Sequence, residues 1–212
     1  MNGNRLITYC DVLDVLKQFV VCLDSSQGIS HFNERYLHHY FSHYLQKKHP
    51  ISFDGQTLIH PEWATSKNGT KRYARYKDGG KRYEVSQEFG SSGYIDLAIG
   101  DANRPSFAIE FKMSEHINSK GIEYDFLKLL DGRNTFEKGL SIIVLYGRSR
   151  FSKSIYKNIF PKCVDNAIKQ LEEKHLPIRK DFAFFVLEHH NGETVIHCCC
   201  TLDGLFSSIK NI

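Results

Sequence analysis

The sequence predicts an α/β protein with a mixed central β-sheet flanked by helices. Amphipathic runs of helical period open the chain, and short apolar runs of strand length fill its middle. A strand–helix–strand crossover then spans Ser106 to Tyr146, and such a connection joins parallel strands. Residues 4–24 place Leu6, Cys10, Leu13, Leu16 and Val20 at three- and four-residue spacing, and Ser25, Ser26 and Gly28 end that helix. A second helix is expected from Ser30, a suitable N-cap, to Lys48, with Pro50 as the stop. Its apolar stripe holds Leu37, Phe41 and Tyr44, and Glu34 belongs to the same face, so its carboxylate points toward the body of the protein.

Turn residues Gly55, Pro61, Gly69, Gly79 and Gly80 make 51–80 irregular. Strands are expected at Arg82–Phe89, Tyr94–Ile99 and Ser106–Met113, separated by connections short enough for a meander. A helix near Ile122–Phe136 precedes Leu140–Tyr146, whose continuous apolar run suits a strand buried on both faces. A helix near Cys163–Lys174, a strand at Phe182–Leu187, and an Asn191-Gly192 hairpin turn into Thr194–Cys200 complete the order. The expected organisation is an N-terminal helical segment (1–28) ahead of a main domain (29–212), together one compact domain.

With 212 residues, 41% hydrophobic and 25% charged, the chain suits a soluble globular protein with a proper core. No stretch reaches bilayer-spanning apolar length and the first residues lack a secretory pattern, so a cytoplasmic location with no membrane partner is expected. Six cysteines read as reduced thiols. Cys198, Cys199 and Cys200 are adjacent strand residues pointing to alternate faces, so a zinc site with His189, His190 and His197 is disfavoured.

The net charge of +4 is unevenly spread. Lys67, Lys71, Arg72, Arg75, Lys77, Lys81 and Arg82 face one acid, Asp78, with Tyr73, Tyr76 and Tyr83 threaded among them. Arg148, Arg150, Lys153 and Lys157 form a second basic group. Clustered cations with interleaved rings suit a nucleic acid; a solvated loop is the alternative.

The chemistry lies on two strands. Alternation puts Glu110 and Lys112 on one face, with Ile109 and Phe111 on the other, and Asp96 on the neighbouring strand can reach that face. Two carboxylates and an ammonium in an apolar setting need compensation. Mg²⁺, held by one or two carboxylates plus water and phosphate, supplies it, and a lysine beside it can orient or deprotonate water. A buried salt bridge between Lys112 and the acids is the alternative; Glu172-Glu173-Lys174 shows the same spacing on a polar helix without such a setting.

Gly93-Tyr94-Ile95-Asp96-Leu97, followed by Ala108-Ile109-Glu110-Phe111-Lys112, resembles the active-site signature of the PD-(D/E)XK, or restriction-endonuclease-like, nuclease superfamily. Ile95 stands where the family name has proline. The resemblance implies a restriction-endonuclease-like core of α-β-β-β-α-β order. It also implies metal binding by Asp96, Glu110 and the Phe111 carbonyl, a glutamate from the preceding helix matched by Glu34, and Lys112 as the catalytic lysine. Mg²⁺ is the implied cofactor, with Mn²⁺ able to substitute. Glu123 to Asp131 is similar to an Asp-x-x-Lys-Leu helix of several subfamilies, which would bring Lys128 near the nucleic-acid backbone; an Asp–Lys surface pair is the alternative. His39 and His43 sit one helical turn apart without a following glutamate and read as a helix face.

The expected activity is Mg²⁺-dependent phosphodiester hydrolysis by a DNA endonuclease of restriction or defence type. Lys71, Arg72, Arg75, Lys81, Arg82 and Lys128 are the expected nucleic-acid contacts, and a homodimer is what duplex cutting often implies. The alternatives are a catalytically silent nucleic-acid-binding module of the same fold, or an RNA- or structure-specific nuclease.

Overall fold

The computed structural model describes residues 7–25, 33–48, 59–65, 73, 93–147, 151 and 153–201. Helix α1 spans Tyr9–Ser25. It starts where Thr8 and Asp11 cap one another: the Thr8 N–H and hydroxyl donate to Asp11 Oδ2 at 2.8 and 2.7 Å. Helix α2 spans Glu34–Lys48. Asn33 is its cap, accepting the Tyr36 N–H at 3.0 Å, while Ser30 lies outside the described residues.

Among the described residues six strands form one sheet in the order β1-β2-β3-β4-β5-β6. These are β1 (Ile59–Ala64), β2 (Tyr94–Gly100), β3 (Pro105–Ser114), β4 (Lys138–Tyr146), β5 (Phe182–His190) and β6 (Glu193–Thr201). Pairs β1–β2, β2–β3 and β5–β6 are antiparallel, whereas β3–β4 and β4–β5 are parallel. Each parallel step is crossed by a helix, α3 (Ser119–Leu130) and then α4 (Lys153–Glu173). The mixed, helix-flanked sheet is as expected. Asn191 and Gly192 both adopt positive φ, 52° and 78°, the requirement of a tight hairpin turn.

Strand β1 and helices α3 and α4 depart from expectation. The strand beside β2 is β1, in the stretch expected to be irregular; Pro61, read as a turn signal, is tolerated because β1 has β2 as its one neighbour among the described residues, the position of an edge strand. The expected strand Arg82–Phe89 lies outside the described residues. Helix α3 ends at Leu130 instead of Phe136: Asp131 is extended (ψ 108°), and the Gly132 N–H turns away to Pro177 O at 2.8 Å. Arg179 then gathers the freed carbonyls, donating to Leu129, Asp131 and Asn134. Helix α4 begins ten residues earlier than expected and runs through Pro161, which removes one helical hydrogen bond. Burial of Tyr156 and Phe160 before the proline, and of Cys163 and Ala167 after it, holds that helix against the sheet.

The two sheet faces carry separate cores. Leu97, Ile99, Phe107, Ile109, Phe111, Ile142 and Phe185 pack with Val12, Leu16 and Phe19 of α1 and Leu37 and Phe41 of α2. The opposite face, with Ala108, Ile143, Leu145 and Phe184, packs against α3 and α4. The buried face of α1 is therefore core. Glu110 and Lys112 share the strand parity of Ala108 and so emerge toward α3.

Tyr73, read as a ring available to stack on bases, is instead buried. Its hydroxyl donates to Asp131 Oδ2 at 2.9 Å and lies 3.1 Å from Leu127 O, and its carbonyl accepts from the Tyr124 hydroxyl at 2.8 Å. This anchor presses on Gly93 at the entrance to β2, where a Cβ would stand 2.1 Å from Tyr73 O. The crowding is between backbones, so it cannot be relieved by a rotamer change. Gly93→Ala is expected to cost about 2 kcal/mol or more, roughly 4–8 °C in melting temperature for a chain of this size. An unchanged melting curve would contradict this packing.

Candidate active site

The paired register of β2 and β3 ends at Leu97↔Ile109, and β3 continues beside β4 as far as Ser114↔Leu145. Beyond that last β2–β3 pair, the Phe111 N–H donates to Asp96 Oδ2 at 2.8 Å. A main-chain donor left over by parting strands is thus satisfied by a side chain, and Asp96 is drawn against the middle of β3.

Around this point gather four carboxylates and two ammoniums. Lys112, with its side chain 20% exposed, lies 3.2 Å from Glu34 Oε1 on α2 and 3.4 Å from Asp125 Oδ2 on α3. Glu34 also accepts the Met113 N–H at 3.4 Å. Lys128 on α3 lies 2.5 Å from Glu110 Oε1 and 3.3 Å from Asp125 Oδ1, and it donates to Tyr94 O at 3.2 Å. The two helices therefore reach the end of β3 from opposite faces of the sheet. The ion pairs of Lys112 are with Glu34 and Asp125, not with the strand acids that a simple salt-bridge reading would choose.

Burial pushes the Glu110 carboxyl well above the ordinary carboxylate range; Lys128 pulls it down, while Asp96 and Asp125 push it further up. For Lys128 burial opposes the charged form, but Glu110 and Asp125 outweigh it and raise the ammonium's pKa. Lys112 follows the same pattern: burial lowers, then Asp125 and Glu34 raise more, so it is held protonated. Glu110 Oε1 is buried and has no hydrogen bond of proper angle, so its contact with Lys128 is one of charge more than of direction.

Glu34 and Lys112 line a cleft of about 210 Å³ together with His116, Asn118, Ile143 and Leu145. Tyr94, two residues from Asp96, is 52% exposed. Asp96, Glu110, Lys112 and Glu34, named from the sequence, are brought together. Lys128 joins them as a buried ion, 3% exposed, so neither the expected nucleic-acid contact nor the surface-pair alternative describes it. Lys71, Arg72, Arg75, Lys81 and Arg82 lie outside the described residues, as do Lys67, Lys77, Tyr76, Tyr83, Arg148 and Arg150.

Two further residues belong to the site. Asp125 bridges both lysines; its spacing to Lys128 was visible, but not that both would be buried. His38 packs on Phe111 with ring centroids 5.8 Å apart, and burial lowers its pKa while Asp96 raises it. It lies one helical turn after Glu34, which was the available signal. His39 and His43 are exposed. His189, His190 and His197 are engaged separately, with Thr194, Gly147 O and Glu188.

Among the described residues no three His, Cys, Asp or Glu side chains form a ready cage for a metal. Mg²⁺ needs less, since one or two carboxylates with water and substrate oxygens suffice. Asp96 and Glu110 are hard oxygen donors, Glu110 Oε1 is a buried atom short of a directional partner, and the acids outnumber the lysines. On that chemistry the donor set suits such an ion. No family model, curated protein or solved structure matches this chain. Among the described residues no helix is long and apolar enough to cross a membrane.

The cluster separates two kinds of charge. Removing Lys128 strands a fully enclosed carboxylate, so Lys128→Met is expected to cost about 3–5 kcal/mol in urea unfolding. Glu34 is 44% exposed, and neutralising it as Glu34→Gln should cost about 1 kcal/mol or less. Equal costs for the two variants would show that the enclosure of Lys128 and Glu110 is wrongly described.

Proposed function

We propose that this chain is a Mg²⁺-dependent nuclease built on a restriction-endonuclease-like core, acting on DNA. The observation that carries the proposal is the meeting of Asp96, Glu110 and Lys112 at the open end of β2 and β3, with Glu34 reaching in from α2. The order α2-β1-β2-β3-α3-β4 supports it, because it places that end between two helices beside a cleft.

Asp96 and Glu110, with the Phe111 carbonyl, would hold the metal. A metal held by these residues would supply a lowered pKa for a bound water and charge neutralisation at the phosphodiester. Lys112 stands at the cleft, fixed between Glu34 and Asp125. Its raised pKa keeps it an ammonium at neutral pH, so it orients water and donates to a phosphate oxygen rather than removing a proton. Tyr94 offers an exposed ring two residues from Asp96, suited to an unstacked base.

A second reading is a nucleic-acid-binding module that does not cleave. One observation favours it: the Lys128 ammonium stands 2.5 Å from Glu110, where a cation would bind. The two readings separate in a cleavage assay with Mg²⁺ on plasmid, linear duplex, single-stranded DNA and RNA. The nuclease reading expects cutting of DNA that stops on chelation. It also expects losses of about a hundredfold or more for Asp96→Asn and for Lys112→Ala, with the fold retained. Salt-dependent binding without cleavage in either Mg²⁺ or Mn²⁺ would replace it with the binding module, and cutting confined to RNA would move the substrate class.

A further inference from the structure

Resting on that reading, we infer that Lys128 is a resident counter-ion: it holds the metal-binding carboxylate Glu110 while the site lacks a cation and releases it when a divalent ion arrives. The two lysines of the cluster differ in the way this role requires. Lys112 is tied to Glu34 and Asp125 and opens onto the cleft. Lys128 is enclosed, 3% exposed, and its closest partner is Glu110.

An ammonium has three donors and no acceptor, and each contact of Lys128 has a distinct consequence. Tyr94 O at 3.2 Å and Asp125 Oδ1 at 3.3 Å belong to no expected metal ligand, so they remain when Glu110 turns to another cation. Lys128 is then still paired and is not left as a bare buried charge. The Glu110 contact is close but poorly directed, since Oε1 lacks a hydrogen bond of proper angle. Such a contact is held by charge, and a doubly charged ion can take it over.

The need for a resident cation follows from burial. A carboxylate enclosed without a partner is strongly destabilising, and Asp96 and Asp125 add like charge beside Glu110. Lys128 thus lets the chain fold without metal, at the cost of weaker metal binding, because every ion that binds Glu110 must first displace it. By linkage, removing Lys128 should tighten the metal site. A salt bridge that merely shapes the site makes the opposite forecast, since its loss would loosen the ligands and weaken binding.

The test is a Mn²⁺ titration of the full chain, free Mn²⁺ being read by its electron paramagnetic resonance signal, for wild type, Lys128→Gln and Lys128→Gln with Asp96→Asn. The expected result is binding about tenfold tighter in Lys128→Gln than in wild type, lost when Asp96→Asn is added. Equal or weaker binding in Lys128→Gln, with wild type binding normally, overturns the inference and leaves the nuclease reading standing. Absence of Asp96-dependent binding in both wild type and Lys128→Gln overturns the metal reading as well. Lys128→Met gives an independent readout in thermal unfolding followed by circular dichroism. Its melting temperature should rise more on adding Mn²⁺ than that of wild type, and a variant unfolded in chelator should regain its helical signal with Mn²⁺. No larger rise than wild type, or no regain, counts against the inference.

Discussion

Charge withdrawn from water at the end of β3 is the constraint around which this molecule is organised. Glu110 and Lys128 are almost fully enclosed, and Asp125 nearly so. A buried ion without partners costs about as much as the largest packing defects, and three elements near β3 supply partners. Helix α3 brings Asp125 and Lys128, α2 brings Glu34, and β2 brings Asp96 together with the Tyr94 carbonyl. The apolar cores on the two sheet faces fix the helices from which these charges project. Tyr73 and Gly93 then hold the start of β2 against α3 at close range.

The division of labour between Lys112 and Lys128 gives the cluster its chemical character. One ammonium faces an open cleft and is pinned by two acids; the other is sealed in and tied to a main-chain carbonyl. The first can meet a ligand, and the second can adjust the charge that the ligand meets. Both are kept protonated by neighbouring carboxylates against the effect of burial. In this arrangement Glu110 is reached by an incoming cation only through displacement of Lys128.

Much of this was legible in the sequence, for reasons of period. Strand alternation put Glu110 and Lys112 on one face, and helical spacing put Glu34 on an inward stripe. The Asn191-Gly192 turn followed from its tolerance of positive φ. What escaped was decided by tertiary context. Pro61 disguised β1 because a proline on an edge strand looks like one in a loop. Pro161 hid the first half of α4, since packing on both sides of the proline outweighs its local cost. An Asp and Lys three apart look the same on a surface helix as in a core, so the burial of Asp125 and Lys128 could not be read. His38 was overlooked beside His39 and His43, although it alone of the three packs on Phe111. The basic stretch from Lys67 to Arg82, apart from buried Tyr73, lies outside the described residues.

The nuclease proposal requires the carboxylates at the parting of β2 and β3 to be a cation site. Anomalous diffraction from a crystal soaked in Mn²⁺ tests it most directly. The expected result is a peak at Mn–oxygen bonding distance from both Asp96 and Glu110, with the Lys128 ammonium withdrawn toward Asp125 and Tyr94 O. A crystal with no peak there, and with Lys128 still resting on Glu110, would contradict it.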